Sequence, residues 1–380
     1  MNKHLIQRLL CIAVLAMTGL LTACGGASST VNPLVPSRVI AFGDGFNAVD
    51  ANGYGVNTVN AAVKMALGAT PATGTDLPDD TIAGRLAYGR YGVTLTSVSG
   101  NGLLDTTKKG FSYAQGAARI QDAATPSGDS IEKQIANFLE RNTPGEKDLF
   151  IISAGSLDIY DAFNNGTTLA APVSALVSAI RRLTNAGAKY VLIVYPPNMA
   201  RTPWAIRKSA ADRLAVQNLS YDTQGNCEKG QEVSFSCRTT IALNTEFPAT
   251  SAHQPILLAD LMGYSNLITG TGGTSTVTFQ GATLTTTGTG SLNTFPAYAV
   301  TNPDLPACFT VTTPPTSPLV CDTTIANAAN GVNSGTNGWN NVAWDYKTSV
   351  FADNFYFAPY ANRLYADYIY NVTMYRAGWR

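Results

Sequence analysis

A chain of 380 residues with 25 Lys and Arg against 25 Asp and Glu has no formal net charge; 13% of it is charged and 45% hydrophobic. That composition excludes a disordered or coiled-coil chain and describes a loop-rich globular protein, long enough for one large domain or two smaller ones. No Lys/Arg run or basic patch occurs, so a nucleic-acid partner has no electrostatic footing and is excluded.

The N-terminal segment reads as an export signal. Lys3, His4 and Arg8 form a positive n-region, and Leu9 to Leu20 form an apolar h-region short for a membrane span. Leu21-Thr22-Ala23-Cys24 follows and resembles a bacterial lipobox, in which the peptide is cut before the cysteine and the thiol is diacylated. The resemblance implies a signal peptide over 1–23, lipidation at Cys24, a flexible tether over 24–37 and a single domain over 38–380. Two acyl chains hold a protein stably on a membrane, each buried CH2 contributing roughly 0.8 kcal/mol. Gly25 after Cys24 favours, by the same resemblance, the outer membrane of the bacterial envelope. Without Lys3 and Arg8 the chain has 23 basic and 25 acidic residues, a formal charge of −2.

The first element of the domain is a buried strand, Val39-Ile40-Ala41-Phe42, running into a turn with Gly43 and Gly45. Asp50 to Gly55 reads as a turn; an EF-hand calcium loop is rejected because Tyr54 and Ala61 stand where ligands belong. Ile82 to Arg90 precedes a short strand over Val93 to Val98. Ser130 caps a helix whose Ile131, Ile135, Phe138 and Leu139 share one face and which ends over Asn142 to Gly145. Asp148 to Ser153 is a second buried strand. A helix starting near Pro172 and ending at Gly187 leads into a strand over Lys189 to Tyr195. Alternating strands and helices predict an α/β fold, a doubly wound parallel sheet with helices on both faces.

From about 220 to 345 Gly, Thr, Asn and Ser dominate and no helical period is evident, which reads as a large decorated insertion. Thr274 to Thr287 alternates about Gly281-Ala282, as a hairpin does. Four cysteines of the exported chain fall here, an even number that suggests disulfides and allows three connectivities; local pairs Cys227–Cys237 and Cys308–Cys321 are preferred. Zinc is disfavoured, since no Cys-x-x-Cys occurs and His253 is the only histidine outside the leader. No metal or cofactor is expected.

Four blocks then resemble those of the SGNH, or GDSL, hydrolases, with the lipase/esterase-like branch favoured by Pro197 to Pro203. The first block, Gly-Asp-Ser-Leu in that family, reads Gly43-Asp44-Gly45-Phe46 here. In the second, Gly116 of Phe111 to Arg119 matches the glycine whose N–H helps bind the oxyanion. In the third, Gly-x-Asn-Asp reads Gly155-Ser156-Leu157-Asp158. In the last, Asp-x-x-His-Pro-Thr reads Asp353-Asn354-Phe355-Tyr356-Phe357-Ala358. The resemblance implies a flavodoxin-like SGNH sheet over most of 38–375.

It also implies a damaged site. The serine is replaced by Gly45, the oxyanion-binding asparagine by Leu157 and the histidine by Tyr356, whereas Asp44, Gly116 and Asp353 are retained. Covalent ester hydrolysis needs a nucleophile, a base and oxyanion donors. Losing the serine or the histidine of a serine hydrolase costs on the order of 10⁶ in turnover. The expectation is therefore a non-catalytic lipoprotein. Its former active-site cleft, lined by Gly45, Phe46, Gly116, Leu157, Tyr356 and Phe357, would take an acyl, glycan or protein ligand. The alternative is a carboxylic-ester hydrolase with relocated groups, His253 among them.

Overall fold

In a computed structural model, the chain is described over 33–58, 81–98, 102–121, 128–222, 227, 229, 233–248, 255–269 and 349–379, and in strands over 275–279, 282–286 and 302–306. The segment expected to be a signal peptide, Cys24, His253 and the expected Cys308–Cys321 pairing lie outside the described residues.

Six strands form one parallel sheet: β1 (Val39–Phe42), β2 (Thr96–Ser97), β3 (Gly110–Ser112), β4 (Leu149–Ser153), β5 (Tyr190–Val194) and β6 (Ile256–Ala259). Their spatial order is β2-β3-β1-β4-β5-β6, and every neighbouring pair is parallel. With the two-residue edge strand β2 set aside, this is the flavodoxin-like order 2-1-3-4-5 of doubly wound sheets, whose switch point lies beside β1. The expected α/β fold is therefore present. Every residue of β1 and β4 is buried, as a sheet covered on both faces requires.

Helices α1 (Ile82–Tyr91), α2 (Ile131–Arg141), α3 (Ser156–Asn165), α4 (Ala170–Asn185), α5 (Pro203–Ile206), α6 (Ala210–Ser220), α7 (Phe235–Glu246), α8 (Met262–Thr269) and α9 (Pro359–Tyr368) flank the sheet. α4 packs against α2 and α7, while α1 packs against α9. Ser130 caps α2 by accepting the Lys133 N–H, as its position predicts. Ile82 to Arg90 is itself a helix: Thr81 caps it and Gly92 ends it in a left-handed conformation.

The segment read as an insertion needs correction. Within it, α7, β6 and α8 complete the sheet, with Val191–Val194 of β5 paired to Ile256–Ala259 of β6. The signal was weak because α7 buries only Phe235, Cys237, Thr239 and Leu243 among polar neighbours, and β6 is four residues long. Farther on, β7 (Ser275–Phe279) and β8 (Ala282–Thr286) form the expected antiparallel hairpin. β9 (Asn302–Pro306) pairs in parallel with β10 (Ser349–Phe351).

Cys227 and Cys237 form a disulfide, the preferred local pairing, which ties the chain to the first turn of α7. A closed loop of ten residues corresponds to about 2–3 kcal/mol of loop-closure entropy. The double variant Cys227→Ser/Cys237→Ser is expected to lose that much in urea unfolding; an unchanged midpoint and slope would show that the staple adds nothing.

Candidate functional site

The carboxyl ends of β1, β3 and β4 bring three of the four blocks together, where open parallel sheets bind ligands. The turn after β1 is locked from several sides. Gly43 has φ +129, and a Cβ there would sit 2.3 Å from the Ser153 carbonyl and hydroxyl oxygens, so only glycine fits. Its N–H donates to Gln134 Oε1 at 2.8 Å, and Gln134 Nε2 donates back to its carbonyl at 3.0 Å. Gln134 thus positions the loop from α2; its place among the apolar residues of a helix face gave no hint of it.

Asp44 is fully buried. Its Oδ1 accepts the Ser153 hydroxyl at 2.8 Å and the Phe46 N–H at 3.2 Å. Burial raises its pKa, and the Ser153, Phe46 and Ser156 groups oppose the rise. Gly45 does not have the positive φ of Gly43. It is glycine for space: a Cβ there would lie 2.7 Å from Tyr356 Cε2, 2.8 Å from its Cδ2 and 2.7 Å from Asn57 Cβ. The ring of Tyr356 therefore lies directly on Gly45, in the volume that a side chain at 45 would take.

Tyr356 is 1% exposed and meets Phe46 edge-on at 5.0 Å. Burial lifts the phenol pKa well above 10.0, and the nearby Asp44 and Asp353 carboxyls add to the rise. The backbone N–H groups of Gly45 and Ala117 pull it down. The hydroxyl itself is buried without a hydrogen-bond partner among the described residues. Ala117 has φ +64, in the left-handed region, at the turn in which the Ala118 N–H donates to the Gln115 carbonyl. A non-glycine residue held there stores strain on the order of 1–3 kcal/mol, and here the strained turn adjoins the retained Gly116.

Asp353 Oδ1 accepts the N–H groups of Phe355 and Tyr356, each at 2.6 Å. That carboxylate folds the turn that delivers Tyr356. Burial pushes its pKa up to about 7 against the two N–H bonds. Asp158 is likewise pushed up to about 7 by burial, with the Ile120 N–H and Arg119 opposing. Arg119 is paired with Asp161, the Nη2 contact to Oδ1 being 3.0 Å.

Leu157, in the first turn of α3, is wholly buried. Phe357 stacks on Tyr365 at 4.2 Å and touches Phe46 at 4.9 Å. The structure thus gathers Gly45, Phe46, Tyr356 and Phe357 into one packed cluster. The expectation of an apolar cleft lined by them is corrected: Phe46, Leu157, Tyr356 and Phe357 are core side chains. The reason is that the Tyr356 ring lies in the volume that a side chain at 45 would take. Gly116 borders a cavity of about 290 Å³, lined also by Ser97, Ser112 and Gln115. Ser112 there is spent on the Asn47 carbonyl at 2.9 Å. No histidine and no metal-binding cluster occurs among the described residues.

Together the topology and the packed turns define an α/β protein of doubly wound parallel type, with chemistry-bearing blocks converging at the switch point. No protein-family model matches the chain, and no curated protein does. Among solved structures, it is similar to a member of the lipolytic protein G-D-S-L family from Veillonella parvula DSM 2008. That match has 12% identity and a TM-score of 0.27, over 51% of this chain and 73% of the other. A likeness at that level adds no functional weight.

Proposed function

We propose that this chain is a non-catalytic, SGNH/GDSL-like protein of the bacterial envelope, held to the membrane through lipid on Cys24. The observation that supports it best is the Tyr356 ring lying on Gly45, where a Cβ would come within 2.7–2.8 Å of it. An ester placed over Gly45 would collide with that ring. Nothing at 45 can attack, and a phenol with its pKa raised further by burial is no base near neutrality. The envelope part of the reading rests on the n-region, h-region and Leu21-Thr22-Ala23-Cys24. With the former cleft filled, a ligand or protein partner of this sheet edge is met at its rim, where the cavity beside Gly116 is open.

The test is hydrolysis of short- and medium-chain p-nitrophenyl esters by the domain from residue 25 onward. No turnover above background is expected from the natural chain, and Gly45→Ser/Leu157→Asn/Tyr356→His restores the three missing groups for comparison. Turnover by the natural protein at a rate indifferent to Gly45 substitution would instead establish the hydrolase with relocated groups.

A further inference from the structure

Four aromatic side chains from three stretches of chain meet outside the filled site. Tyr160 and Phe163 come from α3, Trp204 from α5 and Phe355 from the turn after Asp353. Trp204 and Phe355 stack at 5.3 Å with 19° between their planes. Tyr160 lies 5.2 Å from Trp204 and 5.5 Å from Phe355. Phe163 stands against Trp204 at 5.7 Å and 85°, so the two rings make perpendicular walls. The Lys208 ammonium lies in that corner, 4.9 Å from the centroid of Phe163 and 5.0 Å from that of Trp204.

The lysine's position is informative because no carboxylate pairs with it among the described residues. Two ring faces hold the charge, through the attraction between a cation and the negative face of an aromatic ring. Tyr160, Phe163 and Lys208 are only half-buried, so the corner communicates with solvent. Lys208 reaches it on a flexible four-carbon stem from the short link between α5 and α6, where its N–H donates to the Ala205 carbonyl at 2.9 Å.

We infer that the Phe163–Trp204 corner is a cation site whose ligand class is the quaternary ammonium group, with the Lys208 ammonium as its resident competitor. A primary ammonium carries three N–H donors, and ring faces satisfy them poorly. A quaternary ammonium has no donor to leave unpaired, and its methyl groups add dispersion contact with both walls. The corner therefore suits a methylated cation better than the lysine it holds. While Lys208 is seated, the apparent affinity is reduced by the fraction of molecules in which the corner is free. The inference uses none of the filled site's residues except Phe355, whose ring backs Trp204, and it stands whether or not the chain is catalytic.

The probe is choline, titrated into the whole purified chain and followed by tryptophan fluorescence and calorimetry, beside 3,3-dimethyl-1-butanol, its uncharged isostere. Lys208→Gln is expected to tighten choline binding about three- to fivefold, the scale of one exposed cation–ring contact. Phe163→Ala added to that variant should weaken binding by about the same factor, and the uncharged isostere should bind at least about threefold less tightly than choline. Three results would overturn the inference. They are no saturable signal in a Lys208→Gln chain that melts like the natural one, equal affinity for the isostere, or affinity indifferent to Phe163→Ala.

Discussion

Gly45→Ser is expected to destabilise the natural chain by about 2–3 kcal/mol, the cost of overpacking a filled core. In a Tyr356→Ala background the same change should cost only about 1 kcal/mol. The cause is steric: the new Cβ meets the Tyr356 ring at 2.7–2.8 Å and the Asn57 Cβ at 2.7 Å, and cutting back the ring removes two of these three closest contacts. Tyr356→Ala alone should cost about 3–5 kcal/mol, as truncation of a buried aromatic does. The interaction energy is the decisive quantity. It is expected to be about 1–2 kcal/mol, in the range of residues in direct contact, from a urea double-mutant cycle on the four chains. Additive costs would mean that the ring does not occupy the space at Gly45, and the central support for a non-catalytic reading would go with it.

The contact between Tyr356 and Gly45 also explains why the resemblance in sequence marked Gly45 and Tyr356 as departures but not what occupies the space between them. Reading position by position, Gly45 is a lost nucleophile and Tyr356 a lost base, two independent deletions that leave an apolar cleft. In three dimensions they are one exchange of volume, since the ring from 356 fills the space over 45. The sheet was legible for a simpler reason. β1, β4 and β5 are buried apolar runs, and their order in the chain, alternating with helices, limits the topologies to a few. β6 and α7 were not, because Ile256–Ala259 is too short to stand out and α7 meets the core through four residues. Gln134 looked like an ordinary helix residue, yet it holds both backbone groups of Gly43. The aromatic corner escaped notice because Phe163, Trp204 and Lys208 make it only once α3 and α5 are packed together.

The buried carboxyls Asp44, Asp158 and Asp353 give this protein an expected pH profile opposite to that of a domain held by surface ion pairs. Asp353 and Asp158 each have an ordinary pKa of 3.8 that burial pushes up to about 7 in the folded chain, and Asp44 is raised in the same direction. Between those two values the native state keeps protons that the unfolded chain has released. The stability these groups contribute is therefore full below about pH 4 and lost as pH rises through about 7. Each raised group is worth on the order of 4 kcal/mol over the whole window; over the part from pH 5 to pH 8 we expect a fall of about 2–3 kcal/mol per group. Asp353→Asn tests the share of one of these side chains. Its amide oxygen can still accept the Phe355 and Tyr356 N–H groups, while no charge is left to bury. The variant should lose about that much of the slope between pH 5 and 8, and at pH 8 it should be more stable than the natural chain by about 1–3 kcal/mol. Urea midpoints measured across that range decide it. Parallel profiles for the two chains would mean that the Asp353 carboxyl is already ionised and hydrated in the folded protein, and that the turn carrying Tyr356 is open to water.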